Sequence, residues 1–189
     1  MGPLTLLVRG VQTVLVTLVL YLGIQTFVAQ PFRVEQGSML DTLREGQYVL
    51  IDKLTPGLTG YERGDIVVFR PRAVPGDIDD TPYIKRIIGV AGDTVEIRNG
   101  GVWVDGARLD EPYVYGDDGT YPFSARVTSW EVPEGALFVL GDHRSDSADS
   151  RSDRIGLVPL ENAIGRAFLR YWPLPALSVL ESPTYANER

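Results

Sequence analysis

The chain contains no cysteine and a single histidine, His143. The first absence removes disulfides, thiolate zinc sites and a cysteine nucleophile together. It says nothing about redox compartment, because a cysteine-free protein is safe in any. The second excludes a histidine-rich metal cluster. Basic residues are outnumbered, with 18 Lys+Arg against 25 Asp+Glu, a net charge of -7 and a pI near 4.7. Such a chain repels phosphate backbones, which argues against a nucleic-acid partner. Repeats and low-complexity tracts are missing, and no long segment beyond residue 29 has helical periodicity. The 189 residues are nevertheless 44% hydrophobic and 23% charged, which excludes wholesale disorder and leaves material for one compact domain.

Residues 10–29, GVQTVLVTLVLYLGIQTFVA, carry no charge. Twenty residues at about 1.5 Å each span the roughly 30 Å hydrocarbon core of a bilayer. A cleaved signal peptide is the competing reading, but its apolar core is shorter, about 7–15 residues. A retained transmembrane anchor is therefore expected. Arg9 and the terminal amine favour residues 1–9 on the cytoplasmic side and residues 30–189 outside the cell membrane. The later stretch PLPALSVL is too short and too rich in proline to cross again.

After the anchor the pattern turns to period two. Tyr48–Asp52, Asp65–Phe69, Tyr83–Val90, Thr94–Arg98, Gly101–Asp105 and Ala136–Leu140 are short runs rich in Val, Ile and aromatics, bounded by turn formers. Asn99-Gly100 marks a tight hairpin. The fold class predicted is mainly β: one N-terminal transmembrane helix followed by an antiparallel β domain. Pro71–Pro82 reads as a loop, 99–135 as irregular hairpins, and the tail from Trp172 as partly mobile.

Three segments carry chemistry. In Gln36-Gly37-Ser38-Met39, a glycine before a serine lets the hydroxyl sit on a tight turn, although most Gly-Ser pairs are plain loops. In Tyr83-Ile84-Lys85-Arg86-Ile87-Ile88, alternation puts Lys85 on one face and Arg86 on the other, both amid apolar neighbours. Lysines usually snorkel to water. A buried one instead loses its charge more readily and becomes a base that can accept a serine proton. Arg86 cannot, because guanidinium keeps its proton. The third segment, Leu140 to Arg151, is dense in charge and hydroxyls. It is either a solvated loop or a support that orients a base.

These segments, with RGDIVVF at 63–69 and GVAGDTVEI after the lysine strand, resemble in order and spacing the boxes of bacterial type I signal peptidases. The likeness runs from the anchor to RYWP at 170–173. It implies a membrane-bound serine endopeptidase with a β catalytic domain that removes signal peptides from exported preproteins after a small-x-small site. By the same resemblance Ser38 is the nucleophile, Lys85 the general base and Ser147 the hydroxyl that orients Lys85. Asp149 and Arg151 form a supporting ion pair, and Arg86 pairs with Asp142. The Ser38 N–H is one oxyanion donor, with Gln36 standing where some members supply a hydroxyl. Val34, Tyr83 and Ile84 flank these segments as candidate pocket walls. No metal or organic cofactor is called for, and the expected partners are signal peptides and the lipid bilayer of the cell membrane. The chain departs from the family at Asp41, where proline is usual, and at His143, where asparagine is common. A Ser-His-Asp site using His143, a self-cleaving Ser/Lys regulator and a tethered non-enzymatic β module are the alternatives.

Overall fold

The structure is a computed structural model that describes residues 2–71, 81–116, 119–124, 127–183 and 185. Helix α1 covers Pro3–Phe27 and is the only long helix among the described residues. It starts seven residues before the expected span and ends two before it, because Pro3 suits a first helical turn and Ala29 is already paired in a strand. Its stretch Leu6–Phe27 has a mean hydropathy of 1.8, has no buried residue among those described, and is long and apolar enough to cross a membrane.

The strands are β1 (Ala29–Arg33), β2 (Tyr48–Asp52), β3 (Ile66–Phe69), β4 (Tyr83–Gly89), β5 (Thr94–Arg98), β6 (Gly101–Val104), β7 (Ala107–Arg108), β8 (Ser129–Glu131), β9 (Ala136–Leu140), β10 (Val158–Pro159), β11 (Ala163–Trp172) and β12 (Ser178–Val179). A short helix, α2 (Thr55–Thr59), follows β2. Among the described residues the strands form two antiparallel sheets. The larger runs β1-β2-β11-β3-β4-β9-β10 with β12 beside β11, and the smaller runs β7-β6-β5-β8. The fold is therefore mainly antiparallel β, as the sequence pattern predicts. Asn99 and Gly100 both have positive φ and join β5 to β6 as the hairpin turn expected there. The predicted loop at 71–82 falls mostly on residues outside those described, as do parts of the 99–135 region.

The larger sheet positions the site. β4 lies between β3 and β9, with Arg86 opposite Leu140, so the register carries Gly141 to the level of Lys85. Ser38 sits on a single 3-10 turn, Gly37–Met39, that follows β1. Met39 and Leu43 anchor this turn in a core cluster with Val34, Val49, Ile51 and Ile84. Each such burial contributes about 1.5–3 kcal/mol, which fixes an otherwise short turn. The tail after Trp172, expected to be partly mobile, is tied at several described positions: β12 pairs with β11, Leu180 N–H bonds the Phe168 carbonyl, and Tyr185 is buried.

Candidate active site

The Lys85 amine donates to Ser38 Oγ at 2.7 Å and to the Ile84 carbonyl at 3.1 Å. Lys85 is 1% exposed and Ser38 5%. The aromatic face of Tyr83 lies 5.3 Å from the amine. Burial pushes the Lys85 pKa down to about 8, against the opposing pull of Asp149, Asp142 and Asp146. A lysine this depressed is neutral for part of the time near pH 7. Its lone pair can then accept the hydroxyl proton that the ammonium form cannot.

The loop after β9 closes around this pair. The His143 N–H donates to the Ser38 carbonyl at 3.0 Å, and the Ser150 N–H returns to the Val139 carbonyl at 3.0 Å. Only glycine fits at 141, since a Cβ there would collide with the Ser38 carbonyl oxygen and with Ser147. Asp142 is fully buried and holds Arg86 in a fork, with Nε to Oδ1 at 2.9 Å and Nη2 to Oδ2 at 2.7 Å. Arg86 Nη1 also donates to the Gly64 carbonyl at 2.8 Å. Asp149 grips Arg151 the same way, at 2.8 Å twice, and accepts the Gly141 N–H at 3.1 Å. Charge-assisted forks of this kind are directional, so they fix the loop's shape as well as its charge.

Other residues picked from the sequence sit less tightly. Ser147 is buried beside Gly141, and its Oγ has no hydrogen-bond partner among the described residues. The expected bond from Ser147 to Lys85 is therefore not formed in this structure. Gln36 is exposed, just before the nucleophile turn. Val34 and Ile84 belong to the core beneath that turn, and Val34 presents no surface to solvent. Tyr83 is half-buried and stacks on Phe69 at 6.0 Å. His143 places its ring edge-on to Tyr115 at 4.7 Å, and its Nδ1 has no hydrogen-bond partner among the described residues. Its contact to Ser38 runs through the backbone. Asp41 forms an exposed ion pair with Arg44, and the Leu40–Asp41 peptide is cis. Among the described residues no group of three or more His, Asp or Glu is placed to hold a metal ion.

Sequence reasoning missed four members of this region. Thr42 Oγ1 donates to Asp142 Oδ2. Arg144, 2% exposed, donates to the Gly141 carbonyl at 2.9 Å and pairs with Glu111 at 2.6 Å. The Arg86 guanidinium stacks 4.0 Å over Tyr113. Thr42 and Arg144 lie inside recognisable segments, whereas Glu111 and Tyr113 come from a turn-rich stretch with no local signal.

The profile of the family described as signal peptidase, peptidase S26, matches residues 7–172. The chain belongs to this family. Among peptidase S26 relatives, a probable signal peptidase I-2 of Synechocystis is 38% identical over 170 residues, covering 89% of this chain and 75% of the relative. The signal peptidase I of Leptolyngbya laminosa is 36% identical over 180 residues, 94% of this chain and 85% of its own. Signal peptidase IB of Staphylococcus aureus is 32% identical over 180 residues, 88% and 90% respectively. A crystal structure of a signal peptidase I from Enterococcus faecalis aligns with 56% of this chain and 95% of its own, at 30% identity and a TM-score of 0.43.

Proposed function

We propose that this member of the signal peptidase family is a membrane-tethered serine endopeptidase that removes signal peptides from exported preproteins, using Ser38 as nucleophile and Lys85 as general base. The observation that carries the reading is the 2.7 Å contact between a buried lysine amine and a buried serine hydroxyl. With a pKa of about 8, roughly a tenth of Lys85 is neutral at pH 7, enough to sustain base catalysis.

Neutral Lys85 takes the Ser38 proton as Oγ attacks the scissile carbonyl. The Ser38 N–H stabilises the oxyanion, with exposed Gln36, the residue before the turn, as the candidate second donor. The ammonium then protonates the leaving amine, and the acyl-enzyme forms. Water attacks that ester with Lys85 again as base, which frees Ser38. Ser147, whose Oγ makes no bond to Lys85 in this structure, would orient the amine only by turning toward it during the reaction, and the Arg86–Asp142 and Asp149–Arg151 pairs hold the walls.

Helix α1 is the tether, and the catalytic domain lies outside the cell membrane. Ser38 is nine residues past Ala29, so the nucleophile lies within roughly 30 Å of the anchor's end along the chain. An apolar signal-peptide core in the same bilayer presents its small-x-small junction at that height. Of the three candidate pocket walls, half-buried Tyr83 is the one left to meet a small side chain of the substrate, since Val34 and Ile84 are buried in the core.

The test is cleavage of a preprotein by the purified full chain in detergent, with N-terminal sequencing of the product. A single cut after a small residue, lost in Ser38→Ala with the fold retained, is the expected result. Cleavage that survives in Ser38→Ala overturns the assignment.

A further inference from the structure

Ser182 Oγ donates to Asp65 Oδ1 at 2.7 Å, and Asp65 is 1% exposed. Pro183 and Tyr185 close over Gly64, where an added Cβ would come within 2.8 Å of the proline ring. The carbonyl of the same Gly64 accepts Arg86 Nη1 at 2.8 Å. Beyond it, the Tyr185 hydroxyl meets the Tyr113 hydroxyl at 2.8 Å.

The direction of that bond follows from its neighbour. Tyr113 OH donates to Glu111 Oε1 at 3.1 Å, and a carboxylate can only accept. The one Tyr113 proton is thus spent on Glu111, so Tyr185 is the donor to Tyr113. Desolvation pushes both phenols up, Tyr185 to about 12 and Tyr113 well above its usual range, so each keeps its proton at any working pH. Tyr113 is linked to both arginines behind the site, to Arg86 directly and to Arg144 through Glu111. Its ring faces Arg86, and its hydroxyl shares Glu111 with Arg144, which in turn holds the Gly141 carbonyl.

We infer that Tyr113 and Tyr185 are positioning residues for the Ser38/Lys85 site: the C-terminal segment straps Tyr113 under Arg86 and thereby keeps the guanidinium seated on Asp142. The inference rests on Lys85 being the base. The charged groups around Lys85 are the carboxylates of Asp142, Asp146 and Asp149, each of which favours its ammonium form. The groups around Arg86 are Asp142, Tyr113 and Tyr185. Arg86 neutralises Asp142. Loosening that fork restores the full pull of Asp142 on Lys85 and raises the pH at which the amine becomes neutral.

The chain has only two lysines, Lys53 and Lys85, so full-length protein carrying ε-13C-lysine in micelles gives two signals that titrate separately in NMR. In Tyr185→Ala the Lys85 midpoint is expected to move up by roughly half a unit to one unit, with Lys53 unmoved as internal control. A one-unit rise lowers the neutral fraction at pH 7, and with it kcat, about tenfold, while KM stays put. Tyr185→Phe keeps the ring and loses only the donated proton, so it should shift less in the same direction. An unchanged Lys85 midpoint in folded Tyr185→Ala overturns the inference, even if the melting temperature falls, because the strap would then be structural only. If Tyr185→Ala does not fold, an unchanged midpoint in Tyr185→Phe overturns it instead. The titration needs no turnover, so a wild-type chain that cleaves no preprotein would sink the proposed function by a separate readout.

Discussion

Lys85 and Ser38 are separated by 47 residues in the chain and by 2.7 Å between amine and hydroxyl. Two independent elements create that contact. β4 fixes Lys85 between β3 and β9, and the 3-10 turn is pinned by Met39 and Leu43. The His143 N–H locks the turn's carbonyl to the loop after β9, so a shift in any one of these elements misaligns the pair.

Lys85→Arg should be as inactive as Lys85→Met. Arginine preserves the positive charge but never offers a lone pair, so it separates a base from an electrostatic partner. Steady-state cleavage of a peptide substrate by both variants is the measurement. Substantial activity in Lys85→Arg would make Lys85 a charge partner only.

The rate should climb with pH along a limb centred near 8. As the proposed base Lys85 works only when neutral, and burial lowers its pKa from 10.5 to about 8. A kcat/KM profile of the full chain reads this midpoint in the free enzyme. A limb centred near 10.5 would mean that the amine is solvated during catalysis.

The six strands that alternate cleanly were legible because one or both faces are buried, and their bounds were right to within a residue. β11, the longest strand, was not foreseen. Register shifts between Ala163 and Gly165, Ala167 and Leu169, and Arg170 and Trp172 break the period-two pattern on which a strand is read. β1 escaped because Pro31 reads as a breaker, yet at the edge of a sheet proline is tolerated. At the site, Ser38 and Lys85 were picked out by residue type and sequence pattern together with family likeness, and the two arginine–aspartate pairs by the likeness alone; the structure brings the members of each pair together. Glu111, Tyr113 and Tyr185 were not, because their contacts join distant segments through side chains that look unremarkable in sequence.

Lys85→Met should also stabilise the domain at pH 7. The folded pKa lies below the unfolded one, so the folded state binds fewer protons between pH 8 and 10.5. Wild-type stability therefore carries a penalty at pH below 8, and this penalty fades as pH rises to 10.5. The depression corresponds to roughly 3 kcal/mol at most. Thermal unfolding of both proteins at pH 7 and pH 10.5 should show a higher melting temperature for Lys85→Met at the lower pH and a much smaller gap at the higher. Equal gaps at both would show that the ammonium is not penalised by burial.

The serines of the loop after β9 should separate rate from stability. Ser147 Oγ is buried with no partner among the described residues, so Ser147→Ala removes none of the hydrogen bonds seen there and should leave the melting temperature level or slightly higher. Its hydroxyl lies against Gly141, and the family likeness is what assigns it to the Lys85 amine. The loss should then fall on kcat, by orders of magnitude, with KM nearly unchanged. Ser150 is the reverse case. Its Oγ accepts the buried Val139 N–H at 2.9 Å, so Ser150→Ala orphans a buried donor and should cost about 1–3 kcal/mol of stability with little change in rate per folded molecule. Ser145 is exposed, and Ser145→Ala should change neither quantity. Kinetics and melting curves on the three alanine variants test the pattern as a whole. A slow Ser150→Ala beside a fast Ser147→Ala would place the hydroxyl that steers Lys85 three residues further along the loop.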